Sequence, residues 1–284
     1  MDESLTGPAH AKVNLVLEVL GKREDGYHEI DTILQEIELA DVVTIERSAD
    51  WSIAASGPRA AGVPVDETNL ALKAAKLLAA RVPGSFPVTI NLEKHIPAAG
   101  GLGGGASDAA TTLRLLQRMW AGASDEDLLG VANAIGSDEA FFLVGGTARA
   151  QGRGERVTSL PPIPPQEVVV FIPPETIERK TQRMFDALGR LPFDGGERTR
   201  DFVAEPPRST VCPFNAFERV AFELVPSLRG LWMDLESRIE QKVSLAGAGP
   251  CLFWMGDYAP AEMVARAAQG ADCEIIPTHT VSRE

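Results

Sequence analysis

Apolar and polar positions change period several times along this chain, and each change marks an element. Val13, Leu15, Leu17 and Val19 alternate with Asn14, Val16 and Glu18, the period of two that a strand requires. Gly-Lys-Arg-Glu-Asp-Gly over 21–26 predicts a turn, and Ile37 to Glu46 predicts more strand, broken at Asp41. Asn69 to Arg81, rich in alanine and leucine, predicts a helix, and Val88 to Leu92 a strand. Ala110, Leu113, Leu116 and Trp120 recur at helical spacing and predict a helix over Asp108 to Trp120, with another over Asp125 to Ile135.

Pro161 to Gln166, PPIPPQ, predicts a hinge, because consecutive prolines continue neither helix nor strand. A boundary near residue 160 would divide the chain into 1–160 and 161–284. Beyond it the pattern predicts a strand over Glu167 to Ile172, a helix over Lys180 to Leu188 and an irregular loop over Leu191 to Pro213. Helices are expected over Phe214 to Val225 and Glu262 to Ala268. Between them Val243 to Met255 reads strand, turn, strand, its turn being Ala246-Gly-Ala-Gly-Pro250. No repeat of fixed period is visible. Strands and helices mix on both sides of the prolines, which predicts an α+β protein with a cleft between its two parts.

The run PAAGGLGGGAS, Pro97 to Ser107, has glycine at five positions directly before the Asp108 helix. Glycines let backbone N–H groups approach an anion closely, and a helix N-terminus adds unpaired donors and the positive end of its dipole. The chemistry this suits is phosphate binding. A P-loop is excluded, because no Gly-Lys-Ser/Thr ends the run. Gly101, Gly103 and Ala106 fit a dinucleotide fingerprint, but another helix follows where that motif needs a strand. A protein-kinase loop fails too, since H-R-D and D-F-G are absent.

Composition narrows the partners. The 284 residues, 44% hydrophobic and 24% charged, suit a globular protein, and a formal charge of −13 argues against a nucleic-acid or anionic-membrane surface. Cys212, Cys251 and Cys273 show neither C-x-x-C nor histidine pairing, which indicates no zinc site or disulfide framework and fits the reduced cytoplasm. The start, MDESLTGPAHAK, lacks a signal pattern, and no apolar run approaches a spanning helix.

AHAKVNLVLEVLGKREDGYHEIDTILQEIELAD near the start, KHIPAAGGLGGGASDAA, AIGSDEAFFLVGGTA and SLAGAGPCLF together resemble the GHMP small-molecule kinase superfamily. Within it, DGYH with GLGGG and a following Ser-Asp-Ala-Ala is particular to the kinases of a cytidyl-linked methylerythritol in the non-mevalonate isoprenoid pathway. The resemblance spans most of the first 150 residues and weakens after Leu191. It implies the two-domain GHMP kinase fold: an N-terminal ATP-binding domain over 1–160, a C-terminal ferredoxin-like substrate domain over 161–284, and the active site in the cleft between. The implied reaction moves the γ-phosphoryl of ATP to the substrate's 2-hydroxyl, with Mg²⁺. By matched motif, Lys12 and Asp138 are the implied catalytic pair. Pro97, Ala98, Ala99, Gly100, Gly101, Leu102, Gly103, Gly104, Gly105, Ala106 and Ser107 form the implied ATP phosphate loop. Asn14, Tyr27 and His28 are substrate-side positions, the latter two around the cytosine, and Thr181 and Phe185 in KTQRMF close the base pocket. The implied partners are ATP and a cytidyl-linked sugar alcohol phosphate, with no nucleic acid or membrane, in a monomer or homodimer.

Phosphoryl transfer itself wants these residue types: a group to receive the hydroxyl proton, and positive charge on the moving phosphoryl. Departures from the family pattern bear on this. Glu139-Ala140 stands where the family has Val-Pro, placing a second carboxylate beside Asp138 that would shift its pKa or compete as base. Ala106 replaces the first of two serines, and Ala246-Gly-Ala-Gly lacks the flanking hydroxyls. A GHMP kinase of another alcohol, such as homoserine or mevalonate, and a catalytically silent nucleotide-binding member remain open alternatives on the residues alone.

Overall fold

A computed structural model describes residues 4–175, 180–209, 211–257 and 259–283. In chain order its elements are β1 (Ser4–Lys22), β2 (His28–Arg47), β3 (Ser52–Ser56), α1 (Leu70–Ala79), β4 (Val88–Glu93), α2 (Gly104–Met119), α3 (Asp125–Ile135), α4 (Glu139–Val144), β5 (Thr147–Gly152) and β6 (Arg156–Ser159). They continue as β7 (Glu167–Ile172), α5 (Lys180–Leu188), α6 (Glu197–Ala204), β8 (Phe214–Asn215), α7 (Glu218–Leu224), α8 (Pro226–Ile239), β9 (Ser244–Leu245), β10 (Leu252–Gly256), α9 (Ala261–Ala267) and β11 (Glu274–His279). Among the described residues no helix is long and apolar enough to cross a membrane.

The chain divides into two compact units, and it passes between them several times. One comprises Met1–Ala11, Leu39–Ala98 and Gly103–Val144; the other comprises Lys12–Glu38, Ala99–Leu102 and Gly145–Glu284. The Pro161–Pro165 stretch, expected to mark a boundary, therefore lies inside the second unit. Long strands explain this: β1 and β2 each contribute residues to both units, so chain order and compactness do not coincide.

In the first unit β4 pairs antiparallel with the second half of β2, Val42 opposite Glu93 through Arg47 opposite Val88, and parallel with β3. α1 packs on α2, burying Leu72, Leu78, Leu113 and Leu116. The starts of α1 and α3 are set by side-chain caps. The Asn69 side chain accepts the Ala71 N–H at 2.9 Å, and Ser124 and Asp127 form a reciprocal capping box ahead of α3. β2 does not break at Asp41. The carboxylate is buried but receives hydrogen bonds from the His95 and Ile96 N–H groups and from Lys94, so the strand runs on through it.

In the second unit the antiparallel sheet β11-β7-β10-β9 sets Phe171 opposite Ile275 and Leu252. α5, α7, α8 and α9 cover it through Met184, Leu188, Val220, Leu235 and Val264. The same unit holds the first half of β2 paired antiparallel with β5, and β8 paired parallel with β1. Two expectations change here. Leu191–Pro213 is not wholly irregular: α6 forms within it because the buried Glu18 carboxylate accepts the Thr199 N–H and hydroxyl, each at 2.9 Å, capping the first turn. Phe214 and Asn215 are strand rather than helix, pairing with Val16 and Leu17, and α7 starts only at Glu218.

Candidate functional site

The glycine run is part loop and part helix. Gly103 adopts φ +77°, and α2 begins at Gly104, four residues before the expected Asp108, with no side chain capping it. Gly104, Gly105 and Ala106 open its first turn with N–H groups that have no intrahelical acceptor, and the Ser107 N–H makes the first helical bond, to the Gly103 carbonyl at 2.9 Å. Among the described residues, the N–H groups of Gly100, Gly101, Leu102 and Gly103 have no acceptor either. In an ordinary packed turn most of them would be satisfied. These unengaged donors are consecutive in the chain and run up to a helix N-terminus, a combination that favours an anion.

The chain on either side of the run is tied down within the first unit. Lys94 donates to the carboxylates of both Asp41 and Asp108, all three residues being buried. Burial pushes the Asp108 carboxyl up to about 7, against the opposing pull of Lys94 and with the Asp41 charge adding to it.

In the second unit the middle of the run meets Lys12 and the late glycine turn. The Lys12 N–H donates to the Leu102 carbonyl at 3.0 Å and its ammonium to Asn14 Oδ1 at 2.9 Å. Asn14 Nδ2 in turn donates to Thr32 Oγ1 at 2.9 Å, and that hydroxyl donates to the Val16 carbonyl. Alternation along β1 puts Lys12 and Asn14 on the same face, and the chain of bonds orients both. The late turn is held by Asn215, whose amide donates to the Leu245 and Gly247 carbonyls at 2.8 and 2.7 Å. Gly101, at φ +89°, lies so close that a side chain there would sit 1.8 Å from the Ala246 carbonyl oxygen; one on Gly247 would sit 3.1 Å from the Lys12 ammonium. Lys180, buried at the start of α5, donates to the carbonyls of Ala99 and Gly249. Burial lowers its pKa to about 8, with the Lys12 charge acting in the same direction and Cys251 opposing.

The candidate base-binding residues are only partly assembled. His28 stacks face to face on Phe185, centroids 4.5 Å apart and planes 12° apart, and Phe193 lies 6.2 Å from His28. One ring face of His28 therefore meets Phe185. Burial lowers the His28 pKa. Tyr27 is half exposed, placed by a turn in which Asp25 accepts its N–H at 3.1 Å, and the Arg153 guanidinium lies 5.2 Å from its ring centre. Thr181, exposed, stands one helical turn before Phe185 on α5.

Asp138 belongs to the first unit. It is half-buried, immediately before α4, and its carbonyl accepts the Phe141 N–H at 3.1 Å. The neighbouring Glu139 is buried, its carboxylate packed where any Cβ on Gly136 would lie, 2.4 Å away. Sequence reasoning missed Thr32, Asn215 and Lys180. Only Lys180 had a signal, standing directly before Thr181 in the matched KTQRMF. Among the described residues no group of three or more His, Cys, Asp or Glu is placed to hold a metal ion.

Residues 69–146, which include the whole glycine run and Asp138, match the family model of the GHMP kinases N terminal domain. A 4-diphosphocytidyl-2-C-methyl-D-erythritol kinase from Pelotomaculum thermopropionicum is 36% identical, over 97% of this chain and 98% of its own. The chain belongs to the 4-diphosphocytidyl-2-C-methyl-D-erythritol kinase family of GHMP kinases. A family member from Listeria monocytogenes is 34% identical over 95% of this chain and 92% of its own. A crystal structure of 4-(cytidine 5'-diphospho)-2C-methyl-D-erythritol kinase superposes with a TM-score of 0.78 at 32% identity, covering 98% of this chain and all of that one. The mevalonate kinase of Methanococcus jannaschii, at 14% identity and TM-score 0.66 over 98% of each chain, shares the α+β GHMP kinase fold alone.

Proposed function

We propose that the protein transfers the γ-phosphoryl of ATP to the 2-hydroxyl of 4-diphosphocytidyl-2-C-methyl-D-erythritol, giving the 2-phosphate and ADP. The observation that carries this is the row of unengaged N–H groups from Gly100 to Gly103 leading into the uncapped N-terminus of α2. Pro97 to Ser107 is the loop that takes the ATP phosphates, with N–H donors aimed at charge that a polyphosphate supplies. Lys12, oriented by Asn14, supplies an ammonium to the transferring phosphoryl. Asp138 receives the hydroxyl proton as that oxygen bonds to the γ-phosphorus and the bond to the β-phosphate oxygen breaks. The carboxylate of Glu139, packed against Gly136, supports Asp138 rather than its neighbour as the acceptor.

The nucleotide would bring Mg²⁺ with it. An octahedral Mg²⁺ needs only one or two protein oxygens beside phosphate and water, so the donors at hand, of which Ser107 is the loop's one hydroxyl side chain, fit it without a protein cage. Bound, it neutralises phosphate charge. The cytosine is taken by the aromatic group: Phe185 and His28 supply flat apolar faces, Tyr27 an exposed ring, and a neutral imidazole offers both a donor and an acceptor to the base. Thr181 closes the pocket beside Phe185.

The test is turnover. Asp138→Asn and Lys12→Ala should each lower it by ~10²–10⁴ with folding retained, the usual effect of removing a positioned acid–base or charge group. Near-normal turnover of Asp138→Asn, with loss in Glu139→Gln instead, would move the proton acceptor to Glu139. The base pocket has its own check: a uridyl substrate should be disfavoured about 5- to 150-fold, since a mispaired buried polar group costs roughly 1–3 kcal/mol. Equal rates with cytidyl, uridyl and nucleotide-free alcohols would overturn it.

A further inference from the structure

Lys180 is a buried ammonium that, among the described residues, pairs with no carboxylate. Its hydrogen-bond acceptors are two backbone carbonyls, Ala99 in the glycine run and Gly249 in the late turn. Neutral acceptors compensate a buried cation poorly, so such a lysine persists where it does something for the chain around it. Ala99 shows what that is. Among the described residues it is one of two non-glycine residues at positive φ, +55°, a conformation that costs an alanine of the order of 1 kcal/mol and persists only when its surroundings impose it. In a trans peptide the carbonyl and the following N–H point in opposite directions. Drawing the Ala99 carbonyl onto Lys180 therefore turns the Gly100 N–H the other way, and that N–H has no described acceptor.

We infer that Lys180 is a positioning residue for nucleotide phosphate: it holds the Ala99–Gly100 peptide with its N–H presented to the anion and pins the Gly249 turn beside it. The inference rests on the reading of Pro97 to Ser107 as the phosphate loop. Removing the ammonium releases the peptide, and the cradle loses its first donor. Because Lys180 reaches the loop through carbonyls, the effect falls on ATP rather than on the cytidyl substrate.

The experiment compares wild type with Lys180→Met, Lys180→Arg and Lys180→Ala in full-length protein, by steady-state kinetics, calorimetry with ATP and with the cytidyl substrate, and thermal melting. Lys180→Met should raise the ATP KM and Kd about 10- to 150-fold, the span of hydrogen bonds involving a charged group, while kcat falls less than KM rises. The cytidyl affinity and melting temperature should stay near wild type, and Lys180→Arg should recover part of the ATP affinity by restoring donors. Unchanged ATP affinity in both Lys180→Met and Lys180→Ala overturns the inference and leaves the phosphate loop standing. Equal losses for ATP and the cytidyl substrate, with a lower melting temperature and no recovery by arginine, overturn it in favour of a merely structural lysine. Wild type that binds no ATP overturns the phosphate-loop reading first, and this inference with it.

Discussion

Lys94 and Lys180 are both buried lysines bonded to the neighbourhood of the same glycine run, and they are compensated in opposite ways. Lys94 sits between two carboxylates, Asp41 and Asp108, in the first unit, where charge meets charge and the segments leading into and out of the run are locked. Lys180, in the second unit, has only carbonyl oxygens, and burial pulls its pKa down to about 8 while Asp108 beside Lys94 is driven up to about 7. The contrast teaches that burial of a charge says little by itself. A cation surrounded by acids is part of the scaffold, whereas one surrounded by carbonyls leaves positive potential where phosphate is expected to bind.

The largest effect should come from breaking the balanced side. Lys94→Met strands two buried carboxylates and should lower unfolding stability by about 3–5 kcal/mol, read from denaturant titration, whereas Lys180→Met should change it by no more than about 1 kcal/mol. A loss under about 1 kcal/mol in Lys94→Met would erase the distinction. Next is Gly101→Ala, which puts a Cβ against the Ala246 carbonyl at a φ that disfavours alanine. We expect a stability cost of roughly 1–3 kcal/mol together with weaker ATP binding. Wild-type ATP affinity in a folded Gly101→Ala would show that the run and the late turn need not meet for binding.

The smallest effect is a pH dependence. Lys180 has its pKa lowered in the folded protein, so raising pH through about 8 discharges it in the free protein, while bound phosphates favour the ammonium. ATP affinity should therefore fall above pH 8, by at most about tenfold per unit, with proton uptake on binding. The groups acting on Lys180 are Lys12 and Cys251, so the slope must disappear in Lys180→Met to be assigned to it. A slope that persists in that variant takes the pH dependence away from Lys180.

Local signals in the sequence determined much of this molecule. Alternation in Val13 to Val19 and helical spacing in Asp125 to Ile135 and Lys180 to Leu188 marked elements that the fold contains, because period and capping act between residues close in the chain. The motifs around Lys12, the glycine run and Asp138 likewise marked the family. Tertiary structure decided the rest. Asp41 remains in a strand only because Lys94 and the backbone at 95–96 satisfy it, and α6 forms in a proline-rich stretch only because Glu18, far away in sequence, caps it. Lys180 looked like an ordinary helix residue. Its bonds to Ala99 and Gly249 join positions 81 and 69 residues away, and no period along the chain encodes such a meeting. Partners distant in sequence are chosen by how the elements pack, which is why the glycine run was legible in the chain and its bond to Lys180 was not.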